Sequence, residues 1–192
     1  MARLVNKRAQ KSPVITVIGE GLTEQYYFRH IRSIFGYRYI LKPYFFGTTS
    51  LKEMELKINE VVEGNGIAVC VFDVDVASRN VAEQRKLNRL LHKYERKPNV
   101  IFCESMPSIE FWFLIHYQNT NRHFNDAAAV ERELKRHLEN YEKTEHFLER
   151  DHWMRELSGD EKLIGAIVRA RNFGDTGHSR SNIYKAFDEF EK

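Results

Sequence analysis

Two acidic residues at the end of a predicted strand have a spacing that suits a divalent cation. The run Ile67–Ala77 is apolar and rich in β-branched residues, which is typical of a strand buried on both faces, and it contains Asp73 and Asp75 (the acid pair) near its end. Residues i and i+2 of a strand point to one side, so both carboxylates are predicted to face one crevice if the strand persists that far. Close carboxylates repel each other, and their hard oxygen ligands suit Mg²⁺ or Mn²⁺.

A third acid follows another predicted strand. Val14–Ile18 is a short β-branched run, followed by the segment Gly19-Glu20-Gly21-Leu22-Thr23-Glu24. The glycines permit a tight turn from strand to helix, and Thr23 is predicted to cap the helix that follows. Open α/β sheets bind ligands at the carboxyl ends of their strands. If the two strands are neighbours, Glu20 and the acid pair converge on one cation; the alternative is that the acid pair forms a solvated turn capping the next helix.

Two further acids and a histidine are candidates with competing interpretations. Glu24 lies just inside a predicted helix, where interaction with the helix dipole and a catalytic role both fit. Glu110 and His116 are the strongly polar residues of the apolar run Ile109–Tyr117, a predicted buried helix. Burying an unpartnered carboxylate costs on the order of several kcal/mol, so Glu110 requires a metal, an arginine or a hydrogen-bond donor. A structural ion pair at Glu110 and a core role for His116 stay open.

Basic residues cluster late in the chain and at its start. Arg169, Arg171, His178 and Arg180 form either a patch that binds phosphate groups or a solvated surface. Residues 1–12 are predicted to form a basic flexible arm, either a solubilising tail or a nucleic-acid contact.

The order of predicted elements indicates the fold. Strands and helices alternate up to about residue 117, and such alternation predicts a parallel four-stranded α/β sheet of Rossmann-like type with helices on both faces. Pro43 favours an edge position or an early end for the second strand, Tyr39–Phe46. The predicted division is the arm at 1–12, an α/β domain at 13–120 and a helical extension at 121–192. The sequence leaves open whether the extension packs on the domain or projects from it.

Composition narrows the class of protein. The chain has 192 residues, is 42% hydrophobic and carries a net charge of +3, which permits nucleic-acid binding without predicting it. Its apolar runs fall far short of the ~20 residues of a membrane helix, and residues 1–11 lack a signal-peptide core, so a cytoplasmic protein without a membrane partner is expected. Cys70 and Cys103 lie in apolar runs and are predicted to be reduced core thiols.

Three motifs resemble those of a known family. The segments Gly19-Glu20-Gly21-x-Thr23-Glu24 and Phe72-Asp73-Val74-Asp75 resemble the Toprim pattern of topoisomerases, primases and overcoming-lysogenization-defect nucleases. The more specific run Ser105-x-Pro107-x-x-Glu110-x-Trp112-x-Leu114-x-His116 completes a resemblance to the RloB family. These are small Toprim-related proteins often found beside restriction-modification or defence loci with an ATPase partner.

The resemblance implies a function and residue roles. Glu20 would perform acid/base chemistry or contact the metal, the acid pair would hold the metal, and Glu24 and Glu110 would be candidates for a second metal. The implied protein is a nuclease dependent on Mg²⁺ or Mn²⁺ that cleaves RNA or DNA, with tRNA the leading candidate, in anti-phage defence by abortive infection with an ATPase partner. One departure is Ala77-Ser78, where Toprim proteins usually have a glycine soon after the acids.

Two other functions remain compatible with the sequence. The first is a non-catalytic effector or regulatory subunit that docks on an ATPase, using aromatic residues of the extension such as Trp153, Phe173 and Phe190. The second is nucleotidyl or phosphoryl transfer at the same site. The sequence does not decide between DNA and RNA, or between a monomer and a homo-oligomer.

Overall fold

A mostly parallel five-stranded sheet organises the chain. A computed structural model describes residues 12–42, 49–74, 80–159 and 161–192. The strand order is β2-β1-β3-β4-β5; the first four strands are parallel and the fifth is antiparallel to its neighbour. The strands are β1 (Ile15–Gly19), β2 (Tyr39–Lys42), β3 (Ile67–Asp73), β4 (Val100–Met106) and β5 (Arg180–Ser181).

Helices follow the strands and form the outer layers. The helices of the described residues are α1 (Leu22–Phe35), α2 (Leu51–Glu63), α3 (Val81–Tyr94), α4 (Ile109–Tyr117), α5 (Ala127–Leu134), α6 (Glu145–Leu148), α7 (His152–Ser158), α8 (Lys162–Phe173) and α9 (Tyr184–Phe190). Their apolar spacing and their caps account for most boundaries. Gly36, in the left-handed conformation with φ of 71°, ends α1, and the Asp126 side chain accepts from Ala129 N–H at the start of α5.

The two faces of the sheet have separate cores, and this decides where Asp73 points. Val69 and Val71 of β3 pack in a core with α1, α4 and the later helices. Cys70 and Phe72 pack on the other face with α2 and α3. Since side chains alternate along a strand, Asp73 continues the Val69–Val71 row towards α1 and α4.

The C-terminal helices complete the larger core. Helix α4 is buried from Ile109 to His116, as its apolar sequence predicts. Residues of α5, α7, α8 and α9 belong to the same hydrophobic core as β1, β3 and α4. The helical extension therefore packs on the α/β domain, and it is what allows α4 to be apolar on every side.

Two predictions about local structure were wrong. The predicted four-stranded sheet gains β5, a two-residue antiparallel strand; so short a strand shows no hydrophobic period. Thr23 lies inside α1 and does not cap it, because the helix begins after Gly21. Pro107 precedes α4, and the Met106–Pro107 peptide bond is cis.

Several predictions lie outside the described residues. These are the N-terminal arm up to residue 11, the second half of the predicted second strand with Pro43, the segment 75–79 with Asp75 and Ala77-Ser78, and residue 160. Within the described residues, β2 is an edge strand, as predicted, and Cys70 and Cys103 are buried free thiols. No helix in those ranges combines the length and the apolar character needed to cross a membrane.

Candidate active site

Glu20 joins the carboxyl ends of the two central strands. It directly follows β1, and its backbone N–H donates to the Val71 carbonyl at 3.1 Å, which extends the pairing of β1 with β3. Its Oε2 accepts a hydrogen bond from the backbone N–H of Asp73 at 2.9 Å. The Thr49 N–H donates to the Glu20 carbonyl at 2.7 Å. Glu20 is therefore fixed beside Asp73, as the prediction of neighbouring strands requires.

Asp73 presents an unsatisfied oxygen to the interior. Its Oδ1 is buried and has no hydrogen-bond partner among the described residues. Burial raises the pKa of this carboxyl well above its usual range, and the nearby charges of Glu24, Glu110 and Glu20 raise it further. Buried acceptors are normally paired, so an orphaned carboxylate oxygen at the end of a central strand marks a place where a ligand or cation is expected.

Glu24 belongs to the same cluster and also supports the start of α1. Its Oε2 accepts from the Gly21 N–H at 2.9 Å, the arrangement by which a first-turn glutamate satisfies a free helix donor. Glu24 is only 5% exposed. Burial raises its pKa to about 7, and the charges of Glu110 and Glu20 contribute. The two interpretations of Glu24 are thus compatible, since one carboxylate serves the helix end and faces the other acids.

Glu110 lies at the start of α4, fully buried, and is surrounded by donors. Its Oε1 accepts from the Tyr141 hydroxyl at 2.7 Å, and its Oε2 accepts from the Ser108 hydroxyl at 2.5 Å. The Lys143 Nζ lies 2.8 Å from the same Oε2. The predicted requirement for a partner is met by hydroxyl donors and an ion pair.

Lys143 introduces positive charge among the acids. Burial alone would lower the pKa of this lysine, but the Glu110 and Asp73 carboxylates raise it, so the ammonium stays protonated. Its charge in turn lowers the pKa of Asp73, against the other acids. We call Glu20, Glu24, Asp73 and Glu110 the acid cluster, with Lys143 as its cation.

The acid cluster has the donor chemistry of a hard-metal site without a complete set of ligands. Burial raises the pKa of Glu20 as well, with the Asp73 N–H opposing it. In the ranges that the structure describes, no three histidine, cysteine, aspartate or glutamate side chains are arranged to hold a metal. Asp75 lies outside those ranges. Carboxylate oxygens such as the orphaned one of Asp73 are of the type that Mg²⁺ and Mn²⁺ prefer, and the metal stays a prediction.

His116 lies in an interface between helices. Its Nδ1 is 2.8 Å from the Leu157 carbonyl, and its ring packs edge-on against Trp112. Burial lowers its pKa to about 4, and the charged groups that affect it are Arg169 and Lys162, not the acids. The structure therefore places His116 among α4, α7 and α8, where it holds helices together, and does not bring it to the acid cluster.

The three predicted nucleic-acid arginines all have protein partners. Arg169 donates to the Ile115 and His116 carbonyls at 2.7 and 3.1 Å, which caps the C-terminal end of α4. Arg171 pairs with Asp188, and Arg180 donates to the Gly177 carbonyl at 2.8 Å. These contacts leave a role in binding phosphate as a prediction.

Three residues of the site were not predicted from the sequence: Ser108, Tyr141 and Lys143. Ser108 stands beside Glu110 in sequence, and the need of a buried glutamate for a donor could have drawn attention to it. Tyr141 and Lys143 follow α5 in a segment without regular structure. No local pattern connects them to Glu110, because packing of the extension alone brings them there.

Comparison with known proteins identifies the family of this chain. The family model for RloB-like proteins matches residues 15–186 of this chain. This range spans β1 to α9 and includes the whole acid cluster and Lys143. No curated protein and no solved structure matches the chain.

Proposed function

Since this chain belongs to the RloB-like protein family, we propose that it is a metal-dependent nuclease with a Toprim-type site. The proposed reaction is hydrolysis of phosphodiester bonds in RNA or DNA with Mg²⁺ or Mn²⁺. The proposed setting is anti-phage defence by abortive infection, together with an ATPase partner. The setting and the partner rest on the family resemblance, and the chemistry rests on the acid cluster.

The observation that carries the proposal is the burial of several carboxylates at the carboxyl ends of the central strands. Glu24 and Glu110 are 5% and 0% exposed, and Asp73 has a buried oxygen with no partner. Burial of charge without full compensation destabilises a fold, so folding alone does not explain this arrangement. Burial raises the pKa of Asp73 and of Glu24, and neighbouring acids with raised pKa values are typical of catalytic sites.

The residues suggest a division of tasks. Glu20, Asp73 and Asp75 would hold the metal, whose role when bound is to activate water and to neutralise developing charge on phosphate oxygens. Glu24, with its pKa of about 7, is suited to accept or donate a proton near neutral pH. Glu20 already accepts from the Asp73 backbone, which keeps one of its oxygens in a fixed position.

A cleavage assay tests the proposal. The purified chain is incubated with tRNA, other RNA, and single- and double-stranded DNA, with Mg²⁺, Mn²⁺ or EDTA. We expect cleavage that requires the divalent cation and is lost in Asp73→Ala, Asp75→Ala and Glu20→Ala. tRNA is tested first by analogy with other compact toxic nucleases of defence systems.

Two results would contradict this mechanism. One is undiminished cleavage in the Asp73→Ala and Glu20→Ala variants, which would place the activity elsewhere. The other is absence of cleavage with every substrate, with and without an added defence ATPase. Asp188→Asn is the matched control, since Asp188 is an exposed acid that pairs with Arg171 and does not belong to the acid cluster.

A non-catalytic role is the second candidate, and one observation favours it. Both carboxylate oxygens of Glu110 have donors within the protein, from Tyr141, Ser108 and Lys143, as expected of a structural ion pair. In that case the chain keeps a Toprim scaffold and acts by docking on an ATPase. Co-purification with the ATPase, together with inactivity towards all nucleic acids, would support this candidate.

A further inference from the structure

Lys143 is an unusual lysine among the described ion pairs. Its partner Glu110 is 0% exposed at the side chain, whereas the Lys143 side chain is 38% exposed. In comparison, Lys93 and its partner Glu55 are 48% and 38% exposed, an ordinary surface pair. Lys143 thus reaches from solvent to a buried carboxylate within the acid cluster.

The lone pairs of Glu110 are largely occupied. A carboxylate has about four acceptor positions, and three donors already use them: Tyr141 on Oε1, and Ser108 and Lys143 on Oε2. A metal ion on Oε2 would have to displace the ammonium or lie beside it at a strongly repulsive distance. Glu110 is therefore better suited to anchor Lys143 than to bind a metal.

The charge of Lys143 also acts beyond its partner. Its ammonium is held within the acid cluster by the 2.8 Å contact with Glu110 Oε2, and Asp73 contributes a buried oxygen without a partner to the same cluster. A cation in this position performs the electrostatic task of a second metal ion, which is to offset the charge of the acids and of an incoming phosphate.

We propose that Lys143, anchored by Glu110, is the resident second cation of this site, so that the chain binds one divalent ion and Glu110 is not a metal ligand. The inference rests on the proposed function for its substrate, a nucleic-acid phosphate that approaches the partly exposed side chain of Lys143. Its test counts metal ions and does not depend on cleavage.

The experiment is a calorimetric titration of the full chain with Mn²⁺, with bound ions counted independently by the Mn²⁺ electron paramagnetic resonance signal. We expect one ion per chain in the wild type. In Lys143→Met, which removes the charge and keeps most of the stem, we expect either a second bound ion or about tenfold tighter binding of the first, because a repulsive cation is gone. Lys143→Arg should restore one ion, and Lys93→Met should behave as the wild type.

A second variant keeps the inference testable if Lys143→Met does not fold, which circular dichroism would reveal. Glu110→Gln retains the shape and an acceptor but removes the charge. We expect it to bind one Mn²⁺ with an affinity within about threefold of the wild type, since loss of Glu110 is offset by release of its lysine. Loss of Mn²⁺ binding in Glu110→Gln would make Glu110 a ligand and overturn the inference.

The remaining outcomes are also decisive. Two ions in the wild type, no ion in any variant, or equal count and affinity in the wild type and Lys143→Met would each overturn the inference. One ion without cleavage of any nucleic acid would leave it standing and remove the nuclease proposal. Cleavage with two ions bound would overturn the inference and leave the nuclease proposal standing.

Discussion

The carboxylate of Glu20 accepts a hydrogen bond from the backbone N–H of Asp73 at 2.9 Å, so the end of β1 is tied to the end of β3. A side chain that holds a neighbouring backbone is placed more accurately than one that extends freely into solvent. Burial raises the pKa of both carboxyls; the charge of Glu20 raises the pKa of Asp73 further, whereas the hydrogen bond from the Asp73 N–H opposes the rise at Glu20. The geometry therefore stabilises the carboxyl ends of the two central strands and concentrates negative charge there.

Replacing Asp73 by asparagine should separate catalysis from folding. Asp73→Asn keeps the size of the side chain but removes a buried charge that has an unpaired oxygen. We expect the temperature of unfolding without metal to stay equal or rise, and metal-dependent cleavage to fall by roughly 100-fold or more, as loss of several kcal/mol of metal assistance implies. Thermal denaturation and the cleavage assay measure the two effects.

The control for this prediction is Asp188→Asn, which alters an exposed acid. It should change neither the temperature of unfolding nor the cleavage rate appreciably, because surface ion pairs contribute little to stability. A marked loss of stability in Asp73→Asn would mean that the charge of Asp73 is compensated in the fold.

Stability without metal should depend on pH through Glu24. Burial raises its pKa to about 7 from the ordinary glutamate value of 4.5, so between these two pH values the folded state holds a proton that the unfolded state releases. Stability from this group is present below the unfolded value and is lost as the pH rises through about 7. From about pH 5 to about pH 8 the ionisation of Glu24 should lower the free energy of unfolding by roughly 1–3 kcal/mol.

The variant Glu24→Gln isolates that contribution. The glutamine can still accept the Gly21 N–H but does not titrate. We expect it to be more stable than the wild type at about pH 8 and to show a flatter dependence on pH. Urea denaturation at several pH values measures the difference; parallel curves for the two proteins would show that Glu24 is not the titrating group. Added Mn²⁺ should also flatten the wild-type curve, since a cation bound nearby favours the ionised form of Glu24.

Removal of the Tyr141 hydroxyl should weaken the fold through Glu110. Tyr141→Phe deletes a buried donor at 2.7 Å from the carboxylate and leaves Oε1 without that partner. We expect a loss of about 1–3 kcal/mol in the free energy of unfolding. Tyr117→Phe is the matched control, because its hydroxyl donates to an exposed Glu156 at 3.1 Å, and it should cost much less. Equal effects in chemical denaturation would contradict the prediction.

Arg169 should affect stability more than nucleic-acid binding. It donates to two carbonyls at the end of α4, so Arg169→Met should lower the free energy of unfolding by about 1–2 kcal/mol. Arg171→Met, which breaks a surface pair, should cost less. Titrations of nucleic acid at several salt concentrations give the number of phosphate contacts. The slope of the logarithm of the binding constant against the logarithm of the salt concentration gives that number. A slope smaller by about one in Arg169→Met would identify Arg169 as a phosphate contact.

Some of the site could be predicted because it depends on local patterns. The apolar runs before Glu20 and Asp73 specify β1 and β3, and the alternation of strands and helices predicts that they are parallel. The structure adds that they are neighbours. The apolar run around Glu110 specifies a buried helix and hence a carboxylate that needs a partner. These inferences need only the period of side chains and the energetic penalty for burying charge.

Other parts depend on packing between distant segments. Burial of His116 against α7 and α8 separates it from the acids, although it shares a helix and a sequence motif with Glu110. Strand β5 forms only because β4 offers an edge for two residues to pair with. Neither outcome has a local signal, since a single histidine or a two-residue strand has no period.

The sequence alone determined that this chain forms an α/β sheet with acids at the ends of its central strands, because runs of apolar residues select strands and helices locally. Only the tertiary structure decided that Glu110 is held by Tyr141 and Lys143, residues 31 and 33 positions further along the chain. The partner of a buried charge is whichever donor the packed chain brings within reach, and packing involves every element at once.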